Sequence, residues 1–270
     1  VTANELARAA ASLLGAPLRE TAALHGGDLS HVLRIILADG RTAVVKGGAA
    51  PRTEAAMLRA MEATGAPVPH VLEVTDTVLV LQHLAHSGSL AGAWGSLGAA
   101  LGRLHAAHGD RYGWPTNYAF GAVTIENAWS DNWPDFWASR RLLVHAPHIP
   151  VALGNRIDVL ARDLPNRLPQ RPPPSLLHGD LWGGNVLVAG HEVSGLIDPA
   201  CYYGHAEVDI AMLGLFDHPT PAFFASHGAL DAGAEARLVI YRLWPALVHL
   251  RLFGATYRPL AERLLTKSGV

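Results

Sequence analysis

With 270 residues, half of them hydrophobic and 16% charged, the chain has ample material for a core and suits one large domain or two lobes around a cleft. A net charge of -2 argues against a nucleic-acid partner or an anionic membrane surface, and the single cysteine, Cys201, rules out an internal disulfide and fits a reducing compartment. The fifteen histidines lack the C-x-x-C or H-E-x-x-H spacing of a zinc site, no apolar run approaches the ~18 residues of a membrane span, and VTANELARAAASLLGA has no basic region followed by an apolar one. A cytoplasmic protein without membrane association is expected.

In chain order, ELARAAASLL places Leu6, Ala10 and Leu13-Leu14 on one face, which predicts a short amphipathic helix over residues 5–14. Three strands follow at Leu18–Leu24, His31–Leu37 and Thr42–Lys46, separated by His25-Gly26-Gly27-Asp28 and by the hairpin signal Asp39-Gly40. Lys46 closes the third strand, and the helix pattern PRTEAAMLRAMEATG comes next, with Glu54 as its first acid and Met57, Leu58 and Met61 on its apolar face. Pro67-Val68-Pro69 ends that helix, and Val71–Val74 and Thr77–Leu81 complete a small antiparallel lobe. Taken singly, a lysine at a strand end is an ordinary edge charge, and Gly-Gly an ordinary turn.

From Ser87 the composition turns to Gly, Ala and Leu, and SLAGAWGSLGAALGRLHAAH predicts a long helix with Leu90, Trp94, Leu97, Leu101 and Leu104 on one stripe. Residues 110–140 are irregular and hold Trp114, Trp129, Trp133 and Trp137, a pattern that suits packing and substrate recognition equally. Residues 144–174 read as a helix followed by an exposed linker, RLPQRPPPS. The chain ends in three helical patterns, FFASHGAL, EARLVIYRLWPALVHLRLFG and PLAERLLTK, the second of which Pro245 should kink or split.

Between linker and final helices, PSLLHGDLWGGNVLVAGHEVSGLIDPACYYGHAEVDIAMLGLF holds Asp180, Asn185 and Asp198 around two apolar runs, Val186–Val188 and Val193–Ile197. The runs read as hairpin arms turning at Ala-Gly-His-Glu, which draws the three polar residues together. Phosphoryl transfer from ATP asks for a carboxylate to take the acceptor's proton and oxygen ligands to hold Mg2+ on the phosphates. HGDLWGGN has the layout of the protein-kinase loop H-R-D-L-x-x-x-N, with Gly179 in place of the arginine. In that layout Asp180 is the base, and Asn185 and Asp198 are metal ligands. Lys46 steadies the phosphates with Glu54 as its acid, Glu62 being the rival, and Gly26 and Gly27 cover the phosphates. An Asp capping a turn explains any one of these; the combination is hard to reach by chance. Trp182, two residues past the base, suits either stacking on a sugar or packing.

LLHGDLWGGN, LIDPACYYGHAEVDIAM and HLRLFGATY together resemble the fructosamine kinase (ketosamine-3-kinase) family, within the wider group that includes aminoglycoside and choline kinases. The resemblance implies an α+β, two-lobed protein-kinase-like fold, with a nucleotide-binding lobe at residues 1–84 and a mainly helical catalytic lobe at 85–270. It implies ATP-dependent phosphorylation of the sugar 3-hydroxyl of a small-molecule or protein-bound ketosamine, a deglycation repair activity, by a monomer. It places adenine contacts at the backbone of Gln82, His83 and Leu84, and matches Glu54-Ala55 to F-x-x-E-A, although Pro51 stands where that pattern has Phe. Trp133, Phe136, Arg141 and Leu142 match W-x-x-F-x-x-x-x-R-L and suggest substrate contacts from Trp133 and Arg141. His105, in L-x-x-L-H, and Asp209, in E-x-D, are implied to be structural, Asp209 by anchoring the catalytic loop from behind. Two other readings stay open: a phosphotransferase for another hydroxylated amine such as an aminoglycoside, and a non-catalytic nucleotide-binding pseudokinase.

Overall fold

The computed structural model describes residues 2–24, 32–48 and 50–270. Helix α1 (Ala3–Leu13) starts at a capping box, in which Thr2 and Glu5 satisfy each other's backbone amides. Strands β1 (Leu18–Ala23), β2 (Val32–Leu37) and β3 (Thr42–Gly47) precede helix α2 (Pro51–Glu62), and β4 (Val71–Val74) and β5 (Val78–Gln82) follow it. The five strands form one antiparallel sheet in the order β1-β2-β3-β5-β4. Period-two alternation turns Leu33, Ile35, Leu37, Ala43 and Val45 toward α1, where they pack with Leu6, Ala7 and Ala10. In β5 the run VLVL divides, Val78 and Val80 joining that cluster and Leu79 and Leu81 packing with α2. Burial on both faces accounts for an apolar run without alternation. Pro51 occupies the first turn of α2, where its missing N–H costs nothing, so the departure from the F-x-x-E-A pattern leaves the helix intact.

The core under α2 continues without a break into the larger part of the molecule. Helix α3 (Trp94–His105) buries Leu97, Leu101 and Leu104 as its pattern predicts, but it begins later than the expected long helix. The amides of Ser87 and Gly88 both donate to the Val188 carbonyl at 2.9 Å, and a Cβ on Gly88 would lie 2.4 Å from the Gly190 carbonyl oxygen. That backbone is committed to the neighbouring hairpin, leaving only a 3-10 turn, Leu90–Gly92, before α3.

The hairpin β6 (Tyr118–Phe120) and β7 (Val123–Ile125), the short α4 (Trp133–Trp137) and α5 (Val151–Arg167) fill the next stretch. The linker after α5 is exposed at Gln170, Arg171 and Pro173, as expected, but it is tied down along its length: Pro172 is buried and its carbonyl accepts from Tyr112 at 2.7 Å, and the Gln170 carbonyl accepts from the Trp133 amide at 3.1 Å. Strand β8 (Ser175–Leu177) leads to the central loop, the hairpin β9 (Val186–Ala189) and β10 (Glu192–Leu196) follows, and β11 (Tyr202–Gly204) returns to pair with β8. Helices α6 (Glu207–Phe216), α7 (Pro221–His227), α8 (Ala234–Phe253) and α9 (Arg258–Lys267) complete the chain. Pro245 does not split α8, whose 20 residues run as one helix. Burial of Leu243, Trp244, Ala246 and Leu247 on all sides of the proline holds the turns together. Within Ala234–Lys267 one 18-residue stretch is as apolar as a membrane span, more than the sequence suggested, but 61% of that stretch is buried inside the fold.

Candidate active site

The loop after β8 runs His178-Gly179-Asp180 and is gripped from behind. Asp209, in the first turn of α6, accepts from the amides of His178 and Gly179 at 2.8 and 2.9 Å and from His105 Nε2 at 3.0 Å. Burial works to raise the Asp209 carboxyl, but the His105 hydrogen bond, the two neighbouring histidines and the Gly179 amide outweigh it and hold the pKa below the usual carboxylate value. The structural roles expected of Asp209 and His105 are the ones observed. Glu207, two residues earlier, is committed to Arg237.

Gly179 has φ +80°, and a Cβ there would lie 2.1 Å from the Ala200 carbonyl oxygen. An arginine is therefore excluded from this position, because the loop passes against the backbone that follows Asp198. The Ala200 amide donates to the His178 carbonyl at 2.8 Å, and His178 Nε2 bonds the Ile197 carbonyl at 2.9 Å. Since His178 Nδ1 accepts from the Asp180 amide at 3.2 Å, the ring is the neutral Nε2–H tautomer, consistent with burial depressing its pKa.

Asn185 ends a 3-10 turn, Gly183–Asn185, and its Nδ2 reaches back to the Asp180 carbonyl at 2.8 Å and to Asp180 Oδ2 at 3.1 Å. Its own carbonyl accepts from the Ile197 amide at 3.0 Å, which brings Asp198 alongside. Asp198 has φ +56°, the one non-glycine residue with positive φ among those described. A left-handed Asp is a modest strain of the kind that clusters at working sites. Its Oδ1 accepts from Lys46 Nζ at 2.6 Å, and the same Nζ meets Glu54 Oε1 at 2.5 Å. Burial works against the Lys46 ammonium, but Glu54 and Asp198 together override it and raise its pKa. Glu62, the rival acid, bonds the exposed His70 instead.

Asp180 is pushed up to about 7, first by burial and then by the charges of Asp198 and Asp209, with the Asn185 bond opposing. A carboxylate near neutrality is well matched to taking a proton from a hydroxyl. Asn185 Oδ1 and Asp198 Oδ2 carry no hydrogen bond among the described residues, so each presents a free oxygen of the hard kind that Mg2+ prefers. One amide oxygen and one carboxylate suit an ion that shares its shell with phosphates and water, and the donor set fits.

Gly26 and Gly27 lie outside the described residues. Gln82 ends β5 with its amide already donated to the His70 carbonyl at 2.9 Å, and His83 and Leu84 follow at the exit from the sheet. The Leu84 side chain crowds Gly195, whose Cβ would stand 2.2 Å from it, and so pins that exit to β10. Trp182 is 44% exposed beside the loop. Trp133 and Arg141, expected as substrate contacts, are fully buried in the helical lobe. Trp133 Nε1 donates to the Tyr241 hydroxyl at 2.9 Å, and the Arg141 guanidinium lies over the Tyr202 ring at 4.1 Å and donates to Asn127 Oδ1 at 2.8 Å. Aromatic rings and an arginine that looked like a recognition surface are the core of the lobe. Cys201 is buried too, and burial pushes its thiol well up, which leaves it inert.

Two residues near the loop carried no sequence signal. Tyr118, on β6, has its hydroxyl pKa raised by burial and by Glu54, Asp198 and Asp180. Asp217, just after α6, accepts from the Gly183 amide at 2.7 Å and so clasps the Trp182-Gly183-Gly184 turn.

A sequence model of the family described as Fructosamine kinase matches residues 4–268. A protein of Synechocystis sp. named as a probable ketoamine kinase is 35% identical over 79% of this chain and 77% of its own length, and one of the same name from Staphylococcus aureus is 31% identical over 89% and 90%. Among solved structures, a Thermobifida fusca protein named as a putative fructosamine-3-kinase superposes with a TM-score of 0.91 over 99% of both chains at 27% identity.

Proposed function

The chain belongs to the fructosamine kinase family, and from that premise we propose that it transfers the terminal phosphoryl group of ATP to the 3-hydroxyl of a ketosamine, free or protein-bound. The observation that carries the reading is the buried chain Glu54–Lys46–Asp198 set against a loop in which Asn185 fixes the Asp180 carboxylate. Asp180 accepts the hydroxyl proton as the oxygen forms its bond to phosphorus and the bond from phosphorus to the ADP oxygen breaks. Lys46, held by two carboxylates, presents its remaining N–H to the phosphates. Asn185 and Asp198 would hold Mg2+, which when bound offsets charge on the phosphates. Residues 1–84 then form the nucleotide lobe and 85–270 the acceptor lobe.

The test is Mg2+-dependent ATP consumption with a ribulosamine or fructosamine of lysine, beside an aminoglycoside and a control without acceptor. Turnover with the ketosamine alone and a 3-phosphate product is expected. Turnover only with the aminoglycoside would move the substrate while keeping the mechanism, and ATP binding without any turnover would favour the non-catalytic reading.

A further inference from the structure

In a ketosamine the reacting hydroxyl is on C3 and the amine on C1, so four bonds separate oxygen from nitrogen and the two lie at most about 5 Å apart. With Asp180 about 3 Å from that hydroxyl, the amine falls within about 8 Å of the Asp180 carboxylate. A secondary amine is an ammonium at neutral pH, and taking it out of water calls for a carboxylate or an aromatic ring beside it.

Most carboxylates around the loop are already committed. Glu54 and Asp198 share Lys46, and Asp209 is buried and bonded by His105 and two loop amides. Asp217 differs. Its Oδ2 accepts from the Gly183 amide at 2.7 Å, while its Oδ1 has no hydrogen bond among the described residues. Gly183 is three residues beyond Asp180, and Asn185 folds the intervening turn back onto Asp180, so Asp217 holds the same loop that carries the base. A Cβ on Gly183 would lie 2.7 Å from Asp217 Oδ1, so a side chain there would push the carboxylate aside. The adjoining rings are exposed, Trp182 at 44% and Phe216 at 37%, and they meet edge to face at 6.5 Å. The indole folds over Gly184, whose Cβ would be 2.2 Å from its Cη2.

We infer that Asp217 is the specificity-determining residue of the acceptor site, binding the charged amine of the ketosamine beside the Trp182 and Phe216 rings. The inference rests on the ketosamine reading above and adds which side chain selects the amine. It makes the preferred acceptor a ketosamine with a protonated secondary amine over a neutral sugar of the same shape.

The experiment compares a ribulosamine of lysine with its uncharged N-acylated counterpart as acceptors for the full chain and for Asp217→Asn. Asparagine keeps an oxygen for the Gly183 amide and removes only the charge. The protein should favour the charged acceptor in kcat/KM by about tenfold or more, the range of a charge-assisted hydrogen bond. In Asp217→Asn that ratio should fall to within about threefold of unity, through KM, and Asp217→Glu should restore part of it. Because the ratio is taken within one protein, partial unfolding of a variant leaves it unchanged. Equal losses on both acceptors would reduce Asp217 to a clasp for the turn, and an unchanged ratio would remove it from recognition; either overturns the assignment. Wild-type turnover of both acceptors at equal rates would also overturn it and leave the ketosamine reading standing. Turnover of neither would bring down both together.

Discussion

Replacing Gly179 with alanine tests the claim that the catalytic loop is shaped by its passage against the backbone after Asp198. At φ +80° an alanine pays about 1–2 kcal/mol for the left-handed conformation alone. Its Cβ would also stand 2.1 Å from the Ala200 carbonyl oxygen, and Ala200 cannot retreat without losing its amide bond to His178. Relief therefore breaks either that bond or one of the amide bonds to Asp209, at about 1.5–3 kcal/mol for a bond to a charged group. The expected loss is about 3–5 kcal/mol, or very roughly 6–20 °C in Tm for a chain of this size. Gly190, at the tip of the β9–β10 hairpin, supplies the control: it has φ +63° but nothing within 4 Å of its Cβ, so Gly190→Ala should pay the conformational cost alone. Thermal unfolding of the two variants measures the difference. Turnover under conditions where both are folded should fall about 100-fold in Gly179→Ala alone, the cost of misplacing a base by about an ångström. Equal stability losses with turnover retained in Gly179→Ala would refute the account.

Asp180→Asn should lower kcat by about 100- to 10,000-fold with ATP affinity near normal, and steady-state kinetics with nucleotide titration will show whether binding and chemistry separate this way. Lys46→Met leaves Glu54 and Asp198 facing each other unpaired, so it should cost about 3–5 kcal/mol in denaturant unfolding as well as abolish turnover; an unchanged melt would mean the pair is not strained by its removal. Trp182→Ala should raise KM for the ketosamine with little change in stability, because the ring is exposed, and unaltered kinetics would make it a surface residue only. Acid should destabilise the fold: burial depresses His145 to about 3 and His205 to about 4. Below the ordinary histidine value of about 6.5 the unfolded chain binds protons that the folded chain refuses. Stability present above that value is then lost as pH falls toward 4, by about 1.4 kcal/mol per pH unit for each histidine. The two histidines together withdraw about 4 kcal/mol between pH 7 and pH 5, while Asp180, whose raised pKa works in the opposite direction, returns about 2 kcal/mol. Urea unfolding at the two pH values should therefore differ by about 1–2 kcal/mol with pH 5 the less stable, and a more stable fold at pH 5 would contradict the burial of these rings as neutral groups.

The site residues legible in the sequence are those whose roles are set by local chain geometry. Asp180 and Asn185 lie five positions apart in one loop, Asp198 is returned by a hairpin whose arms and turn are plain from composition, and Lys46 and Glu54 lie at a strand end and in the first turn of the following helix. Within each of these two groups the spacing is set by local backbone, so the pattern of residues carries it, whereas the meeting of Lys46 with Asp198, 152 positions away, is tertiary. What was misread depends on tertiary packing, to which spacing is blind. Trp133 and Arg141 have the chemistry of a sugar site, but the same rings and guanidinium serve equally well as the interior of a helical lobe. Pro245 signals a break, yet packing on every side keeps α8 whole. Gly179 stands where the kinase loop has arginine, and only the 2.1 Å approach of Ala200 shows why a side chain is excluded there. Asp217 lies 34 positions from the amide it clasps, across a helix whose length nothing in the loop encodes. The consequence is a division by function. The groups proposed for catalysis follow from short motifs, because phosphoryl transfer needs the same few atoms at the same few spacings. The residues that choose the acceptor come from the ends of separate elements, where the fold alone decides which side chains meet.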